Sequence, residues 1–317
     1  WLLSGMLQLG NGVLACQAPN SELILNSIVS DLIAEGRMPA GSIVDAGAHM
    51  GRWACYYASS APSRTVHALE PVASAVKLMQ ENYGRTHPNL KPLVGGLGSV
   101  PRQVDSGPKR GYRVQMTGLR RFHNRRWRQQ KAVNSREAMH DVFDIFRLDD
   151  LFNASWGGWA GERLGFLHLD VEGDEFDVLK GAVATLTRDQ PVFSVELHVH
   201  QDEGYSRDLL RFISGLGFDS FIVEEMCSVR ADGRNIISFP RSSSAFKGSA
   251  TLNLATAARR LFAVDADSIL SHAYPCCAPG GECCRVSGRC CSLPLVNQWL
   301  ERNLALFNWT GHGVNLG

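Results

Sequence analysis

One short stretch constrains the fold of this chain more than any other. Residues 43–51 read IVDAGAHMG, which is typical of a buried strand that ends in an acid and a turn built on two glycines. A second apolar stretch, VHALEP at residues 66–71, ends in the acid Glu70. An α/β sheet holds a nucleoside-bearing cofactor in this way, because the backbone can approach the ligand at the glycines and the acid can accept hydrogen bonds from ribose hydroxyls.

The spacing of the glycines indicates which cofactor is bound. Dinucleotide enzymes use G-x-G-x-x-G, which lets a helix N-terminus face a pyrophosphate, whereas this chain has D-x-G-x-x-x-G. A carboxylate before the first glycine would repel a pyrophosphate but suits the ammonium group of a methionine-derived ligand. The pattern therefore predicts S-adenosylmethionine as the cofactor, held by Asp45, Gly47, His49, Gly51 and Glu70. The alternative is that the two glycines form an ordinary tight turn.

Helical and strand patterns alternate along most of the chain. Helices are predicted at 21–36, 51–60, 72–83, 174–186 and 205–216, and strands at 42–46, 65–69, 91–97, 164–170, 191–197 and 218–223. Alternation of this kind predicts an α/β, Rossmann-like fold with a mostly parallel, doubly wound sheet that helices cover on both faces.

Breaks in the alternation divide the chain into three parts. Residues 1–20 form an N-terminal extension, either the remnant of a signal sequence or anchor or an ordinary packing segment. Residues 21–247 form the α/β domain, which an irregular insertion interrupts at about 98–141. Residues 248–317 form a C-terminal extension with a cysteine-rich knot at 276–291. Because no run of about 18 uncharged apolar residues occurs, the sequence predicts no membrane span.

Acids and a histidine follow the later strands of the predicted sheet. Because the carboxyl ends of parallel strands meet at one edge, these side chains are expected beside the cofactor. Methyl transfer to a hydroxyl requires alignment of the reacting atoms and usually a base, and the candidates are Asp170, Glu172, Glu196 and His198. The alternative for Glu172 is that it, or Glu175, caps the following helix. The spacing matches no strict metal motif, so no metal is predicted.

These stretches, in their order and spacing, resemble FkbM-type methyltransferases. The matching segments are 43–51, 68–71, 148–151 (LDDL), 167–175 (LHLDVEGDE) and 178–182 (VLKGA). The resemblance covers about residues 21–225, and it implies S-adenosylmethionine-dependent methylation, usually of an oxygen on a sugar or natural product. Three positions depart from the family pattern. His49 replaces an Asn, His168 replaces a Lys, and Gly98–Ser99 stand where the family has an acid after the third strand.

The insertion carries most of the positive charge. The whole chain has 32 basic and 31 acidic residues, yet residues 101–136 hold eleven Lys or Arg and one acid, Asp105. This segment is therefore a candidate platform for an anionic small-molecule or glycan acceptor, with Trp127 stacking on a sugar. Nucleic acid is a less favoured partner. The alternative is a solvated loop.

The C-terminal extension contains three cysteine doublets, at 276–277, 283–284 and 290–291. With no histidine and no C-x-x-C between residues 274 and 291, a zinc site is not expected there. Six closely spaced cysteines predict a small disulfide knot, and the doublets look similar to part of a granulin-type module. Because disulfides persist in oxidising compartments, the knot favours the secretory pathway lumen or the outside of the cell. A thiol-rich tail in the cytoplasm is the alternative.

Two classes of function are consistent with these features. The first is an S-adenosylmethionine-dependent O-methyltransferase that acts on a sugar hydroxyl or a related small-molecule or glycan acceptor. The second is a secreted glycan- or anion-binding protein that retains the fold without the activity. Calorimetry with S-adenosylmethionine separates the two, because only the first requires cofactor binding.

Overall fold

The computed structural model describes residues 22–105, 142–153, 155, 158–197, 203–223, 234–257 and 261–269, together with the backbone of residues 283–284 and 289–290. The predicted N-terminal extension, most of the basic insertion, His198 and most of the cysteine knot lie outside the described residues. In the described ranges, no helix is long and apolar enough to cross a membrane.

The helices and strands alternate through the described residues. The helices are α1 (Leu23–Ala34), α2 (Arg52–Ser60), α3 (Ala73–Tyr83), α4 (Leu148–Leu151), α5 (Glu175–Lys180), α6 (Val183–Asp189), α7 (Glu203–Gly215) and α8 (Ala250–Ala257). The strands are β1 (Ser42–Ala46), β2 (Val66–Glu70), β3 (Leu90–Val94), β4 (Gly96–Leu97), β5 (Arg102–Asp105), β6 (Val142–Phe146), β7 (Leu164–Leu169), β8 (Val192–Leu197), β9 (Phe218–Val223), β10 (Arg234–Pro240), β11 (Leu261–Val264), β12 (Cys283–Cys284) and β13 (Arg289–Cys290).

The main sheet has eight strands in the order β11-β9-β10-β8-β7-β1-β2-β3. Strands β3, β2, β1, β7 and β8 run parallel, and β10 and β11 are antiparallel to their neighbours. The strand order reverses between β1 and β7, and a crevice for ligands forms outside the carboxyl ends of the strands at such a switch point. The predicted Rossmann-like, doubly wound and mostly parallel sheet is confirmed.

Alternation along β1 sorts its side chains between two apolar layers. Val44 and Ala46 belong to the cluster that contains apolar residues of α5, α6 and α7, whereas Ile43 belongs to the cluster formed with α1 and α2. Side chains two residues apart on a strand share a face. Asp45 therefore lies on the face that α1 and α2 cover. It is a buried acidic side chain among mostly apolar neighbours.

The α/β domain extends beyond the predicted boundary at residue 247. Helix α8 packs on α1, and β11 pairs antiparallel with β9 at the edge of the main sheet. Glu35 at the end of α1 accepts a hydrogen bond from the Ser249 hydroxyl at 2.8 Å and another from the Thr251 N–H at 2.9 Å. The short run LFAV at 261–264 has no flanking pattern that marks it as a strand, and its pairing comes from the tertiary fold.

The predicted third strand, at 91–97, divides at Gly95. Gly95 has φ +154°, and a Cβ atom there would lie 2.6 Å from the Phe146 ring. The chain therefore leaves the main sheet at Val94 and enters a separate three-stranded sheet in the order β4-β6-β5.

The predicted helix over 174–186 also divides, into α5 and α6, at Gly181. A Cβ atom at Gly181 would lie 2.1 Å from the Gly98 carbonyl oxygen. This tertiary contact with the chain after β4 was not visible as a helix break in the sequence.

The separate sheet shows where the basic insertion leaves the domain. Asp105 at the end of β5 and Val142 at the start of β6 are antiparallel register partners. The segment between them therefore leaves and returns at neighbouring positions, as a long hairpin connection does.

Candidate functional site

The turn after β1 is held between β2 and β7. The N–H groups of Gly47 and Ala48 both donate to the Leu69 carbonyl oxygen, each at 3.0 Å. Gly47 has φ +86°, and a Cβ atom at this position would lie 1.8 Å from the Asp170 carbonyl oxygen. Glycine is therefore required for the turn to pass this close to the end of β7.

The turn ends at Gly51, the residue before α2. Gly51 has φ +76°, and a Cβ atom there would lie 2.4 Å from Cγ of Met79 on α3. Its N–H donates to the Ala48 carbonyl oxygen at 2.7 Å. Close packing against a neighbouring element thus accounts for the second glycine of the turn, as it does for the first.

His49 lies between the two glycines with φ +50° and an exposed side chain. Asn, Asp and His are the side-chain-bearing residues most enriched at positive φ, so His49 preserves the backbone conformation that an Asn would adopt. Its N–H donates to Oε2 of Glu70 at 2.9 Å, and the Val72 N–H donates to Oε1 at 2.9 Å. The buried carboxylate of Glu70 therefore ties the end of β2 to the turn.

A buried polar layer, formed by Asp45, His168, Glu22 and Asn235, lies on the α1 side of the sheet. Asp45 and His168 are register partners on β1 and β7, and Nδ1 of His168 lies 2.8 Å from Oδ1 of Asp45. Nε2 of His168 lies 3.7 Å from Oε1 of Glu22. The same Glu22 oxygen accepts a hydrogen bond from Nδ2 of Asn235 at 3.0 Å.

Ionisation in the polar layer follows from these contacts. Burial alone would lower the pKa of His168, but the hydrogen bond with Asp45 and the charges of Glu22 and Asp45 hold it well above its ordinary value. Burial likewise opposes ionisation of Glu22, yet His168 lowers its pKa overall. The layer is therefore an imidazolium between two carboxylates.

Asp170 and Glu196 form an acid pair at the carboxyl ends of β7 and β8. Their carboxyl groups are hydrogen-bonded to each other. Burial, followed by the charges of Glu196 and Glu22, raises the pKa of Asp170 well above its usual range, and burial raises the pKa of Glu196 to about 7. Both residues are half-buried. Two carboxyl groups in contact away from bulk water do not ionise independently, so this pair holds a proton close to neutral pH.

The turn after Asp170 is organised by Glu175 rather than by Glu172. Oε1 of Glu175 accepts hydrogen bonds from the N–H groups of Val171 at 3.2 Å and Gly173 at 3.0 Å. Glu172 has φ +58° and an exposed side chain. Glu175, the first residue of α5, therefore holds the turn that precedes the helix, whereas the N-cap residue Asp174 makes no side-chain capping hydrogen bond.

The structure brings together most of the residues that the sequence indicates. Asp45, Gly47, Gly51, Glu70, Asp170 and Glu196 lie at the carboxyl ends of β1, β2, β7 and β8. His49 and Glu172 lie in the adjoining turns with exposed side chains, and His198 lies outside the described residues. Sequence reasoning missed Glu22 and Asn235, and it recorded His168 only as a departure from the family pattern.

The hydrogen-bond acceptors around the turn suit S-adenosylmethionine. Oδ2 of Asp45 is buried and has no hydrogen-bond partner within the described residues, so it can accept from an ammonium group. Each carboxylate oxygen can accept more than one hydrogen bond, so Glu70 can hold the turn and still accept from hydroxyls. Within the described ranges, no group of three or more His, Cys, Asp or Glu is arranged to hold a metal ion.

Comparison with known proteins gives the following matches. The methyltransferase FkbM domain family matches residues 45–220. The AMB antimetabolite synthetase AmbE of Pseudomonas aeruginosa is 25% identical over an alignment of 166 residues, and the match covers 45% of this chain and 8% of that protein. The solved methyltransferase FkbM from Methylobacillus flagellatus is 15% identical, with a TM-score of 0.41 over 62% of this chain and 43% of that one. An O-methyltransferase from Bacillus cereus, solved in complex with SAH, is 12% identical, with a TM-score of 0.43 over 71% of this chain and 83% of that one.

This chain spans less than half the length of AmbE and of the solved FkbM protein. The family match nevertheless covers more than half of this chain, from the glycine turn to β9, and it includes both residues of the acid pair. The resemblance noted in the sequence is therefore confirmed. The chain belongs to the FkbM methyltransferase domain family, whose members use S-adenosylmethionine.

Proposed function

We propose that this protein is an S-adenosylmethionine-dependent methyltransferase that methylates an oxygen, a hydroxyl of a sugar or of a related small-molecule or glycan acceptor. The observation that carries the proposal is the half-buried acid pair Asp170–Glu196 beside the glycine turn. A carboxyl group with a pKa of about 7, as at Glu196, can accept a proton at neutral pH. A hydroxyl acceptor needs such a base, since it must lose its proton as its oxygen becomes bonded to the methyl carbon.

The residues of the turn have a separate role in this proposal. The cofactor, when bound, supplies an electrophilic methyl group on a sulfonium sulfur. Asp45 and Glu70 accept hydrogen bonds from its ammonium and hydroxyl groups, while Gly47 and Gly51 allow the backbone to approach it and His49 shapes the turn. The acid pair takes the proton that the acceptor loses. We place Glu172 and His198 on the acceptor side of the same edge.

Transfer of a labelled methyl group tests the proposed function directly. We expect the purified full chain to move label from S-adenosylmethionine to at least one member of a panel of neutral, acidic and sulfated glycans and lipids. Asp170→Asn should bind S-adenosylhomocysteine and transfer little label, because it removes half of the acid pair and leaves the turn intact. Cofactor binding without transfer to any acceptor, or no binding at near-millimolar cofactor, would favour a glycan-binding protein instead.

The charge of the insertion leads us to propose an anionic acceptor. Because Asp105 and Val142 are register partners, an Asn-Gly turn can replace residues 106–141 and close the β5–β6 hairpin. We expect this deletion to leave S-adenosylhomocysteine affinity within about twofold and to abolish binding of heparin, the sulfated probe.

The salt dependence of heparin binding is the accompanying measurement. Heparin affinity of the full chain should fall at least about tenfold between about 50 and 200 mM salt, because released counterions oppose charge-driven binding. A full-length variant with Gln in place of the arginines at 120, 121, 125, 126 and 128 is the matched control, and it should behave like the deletion. A flat salt response of the parent chain would contradict the anionic acceptor.

We also propose that the protein works in an oxidising compartment, either the secretory lumen or the extracellular space. Cys55 on α2 is disulfide-bonded, which supports such a location. Mass spectrometry under non-reducing conditions should find the cysteines at 276–291 paired. Six free thiols in that segment would contradict the proposal and favour the cytoplasm.

A further inference from the structure

Glu22, the residue before α1, is held in place by contacts with the first turn of that helix and with β10. It precedes the helix with φ +59°, a conformation that a glutamate adopts only when its surroundings hold it there. Its carbonyl oxygen accepts hydrogen bonds from the backbone N–H and from Nδ2 of Asn26, at 3.0 and 2.8 Å. Its carboxylate accepts from Asn235 on β10. The carboxylate of Glu22 therefore has a defined position before it meets His168.

His168 links this fixed carboxylate to Asp45, the acid on β1 just before the turn that contains Gly47 and Gly51. Its two ring nitrogens face different elements, Nδ1 towards Asp45 on β1 and Nε2 towards Glu22 before α1. The side chains of His168 and Asp45 are only 2% and 1% exposed. Water therefore contributes little to holding Asp45, which lies two residues before Gly47.

We propose that His168 is a positioning residue for the cofactor-binding turn, a buried imidazolium that joins Asp45 to Glu22 and so couples the start of α1 to the site. The inference rests on the proposed cofactor site, and it concerns cofactor affinity rather than the transfer step. Asp45 keeps one orientation, with Oδ1 hydrogen-bonded to His168 and the buried Oδ2 left to accept from the cofactor.

A second buried histidine, His67 on β2, shows why the number of carboxylates matters. Nε2 of His67 lies 2.9 Å from Oε2 of Glu162, and its ring stacks on Trp159 with centroids 3.9 Å apart. Burial nevertheless lowers the pKa of His67, because its one carboxylate partner is partly exposed and Lys91 lies nearby. His67 is thus neutral at pH 7, whereas two buried carboxylates keep His168 charged.

Every element packed around His168 supplies a group that favours or tolerates its charge. Asp45 comes from β1, Glu22 from the start of α1 and Asp170 from the end of β7. Glu196 on β8 acts through Asp170, and the Tyr57 ring of α2 lies edge-on with centroids 6.1 Å apart. The charge of His168 in turn lowers the pKa of Asp170, so the imidazolium also limits how strongly the acid pair retains its proton.

Nitrogen NMR of the full chain tests the charge without any ligand. We expect both ring nitrogens of His168 to remain protonated at pH 8, where an ordinary histidine is neutral. The signal is assigned by its loss in His168→Gln. A neutral His168 ring at pH 7 would overturn the proposal, whatever the outcome of the methyl-transfer assays.

Binding of S-adenosylhomocysteine, followed by calorimetry, tests the positioning role. We expect His168→Gln to weaken binding about tenfold, since a charge-assisted hydrogen bond is lost, and His168→Lys to retain affinity within about threefold, because it keeps a cation beside Asp45. The matched control is His67→Gln, which removes a similar buried histidine–carboxylate contact on the other face of the sheet. It should lower the unfolding temperature without weakening binding by more than about twofold.

A double-mutant cycle separates coupling from a general loss of structure. Glu22→Gln should weaken S-adenosylhomocysteine binding by itself, and its effect should largely disappear in the His168→Gln background, because the two residues act through one contact. Additive effects of the two substitutions, or equal weakening by His67→Gln, would overturn the coupling of α1 to the turn.

Discussion

Glu196→Gln should slow methyl transfer and, at the same time, stabilise the fold above neutral pH. Glu196 belongs to the acid pair that we propose as the catalytic base, so its loss should slow methyl transfer by a factor of about 10² to 10⁴. The same substitution should raise the stability of the fold, although it lowers the rate of methyl transfer. Burial raises the pKa of Glu196 from 4.5 to about 7, so the folded state binds more protons than the unfolded state between those values. Stability therefore falls as the pH rises from about 4.5 to 7, by about 3 kcal/mol in total.

A glutamine at this position has no proton to lose and avoids that penalty. The free energy of unfolding of Glu196→Gln should exceed that of the parent chain by about 1–3 kcal/mol at pH 8 and should match it near pH 4.5. Thermal or urea unfolding at the two pH values measures the difference. Asp208→Asn, on the exposed face of α7, is the matched control and should change stability at neither pH. A Glu196→Gln protein that is less stable than the parent at pH 8 would contradict the assignment of a strained buried acid.

The fold loses stability when it holds several acids away from water at the carboxyl ends of its strands. Asp170 and Glu196 are both harder to ionise than exposed carboxyl groups, and a partly exposed, hydrogen-bonded acid such as Glu35 shows the opposite shift. Residues that violate local rules in this way tend to be retained for function. The conflict between stability and ionisation is therefore a property of the proposed site itself, and the remainder of the apolar core offsets it.

The sequence was sufficient to predict the parts of the site that depend on local pattern. Asp45, Gly47 and Glu70 follow apolar runs at intervals typical of strand, turn and helix, and the sheet places them together by a general rule. The acids at Asp170 and Glu196 follow by the same reasoning. The parallel direction of most strands follows from the alternation of helices and strands, whereas the order of the strands in the sheet is seen only in the structure.

The contacts missed in the sequence join residues that are distant along the chain. Glu22 reaches His168 on β7 and Asn235 on β10, and no periodicity links residues so far apart. His168 itself lies within a strand of buried residues, where its position in the sequence does not reveal two carboxylate partners. The edge strand β11 was missed for a related reason, since four apolar residues acquire strand geometry only when β9 is beside them.

Gly47→Ala should abolish cofactor binding, because the added methyl group has no space between the turn and the end of β7. The Cβ atom would lie 1.8 Å from the Asp170 carbonyl oxygen, which is backbone at the end of β7 and cannot rotate away. Relief of the clash requires movement of the turn or of the segment that carries Asp170. We expect S-adenosylhomocysteine affinity to fall more than about 100-fold and stability to fall by several kcal/mol, of which left-handed strain accounts for about 1–2 kcal/mol.

Gly217→Ala provides the matched control for this substitution. Gly217 has φ +88°, close to the +86° of Gly47, but a Cβ atom there would have nothing within 4 Å. The control therefore carries the same backbone strain without the clash, and it should lose about 1–2 kcal/mol of stability while it binds S-adenosylhomocysteine like the parent chain. Calorimetry and urea unfolding of both variants give the comparison. Equal losses of affinity and stability in the two variants would contradict the prediction. Backbone strain alone would then explain the effect of Gly47→Ala, and the close approach of the turn to β7 would not be needed for cofactor binding.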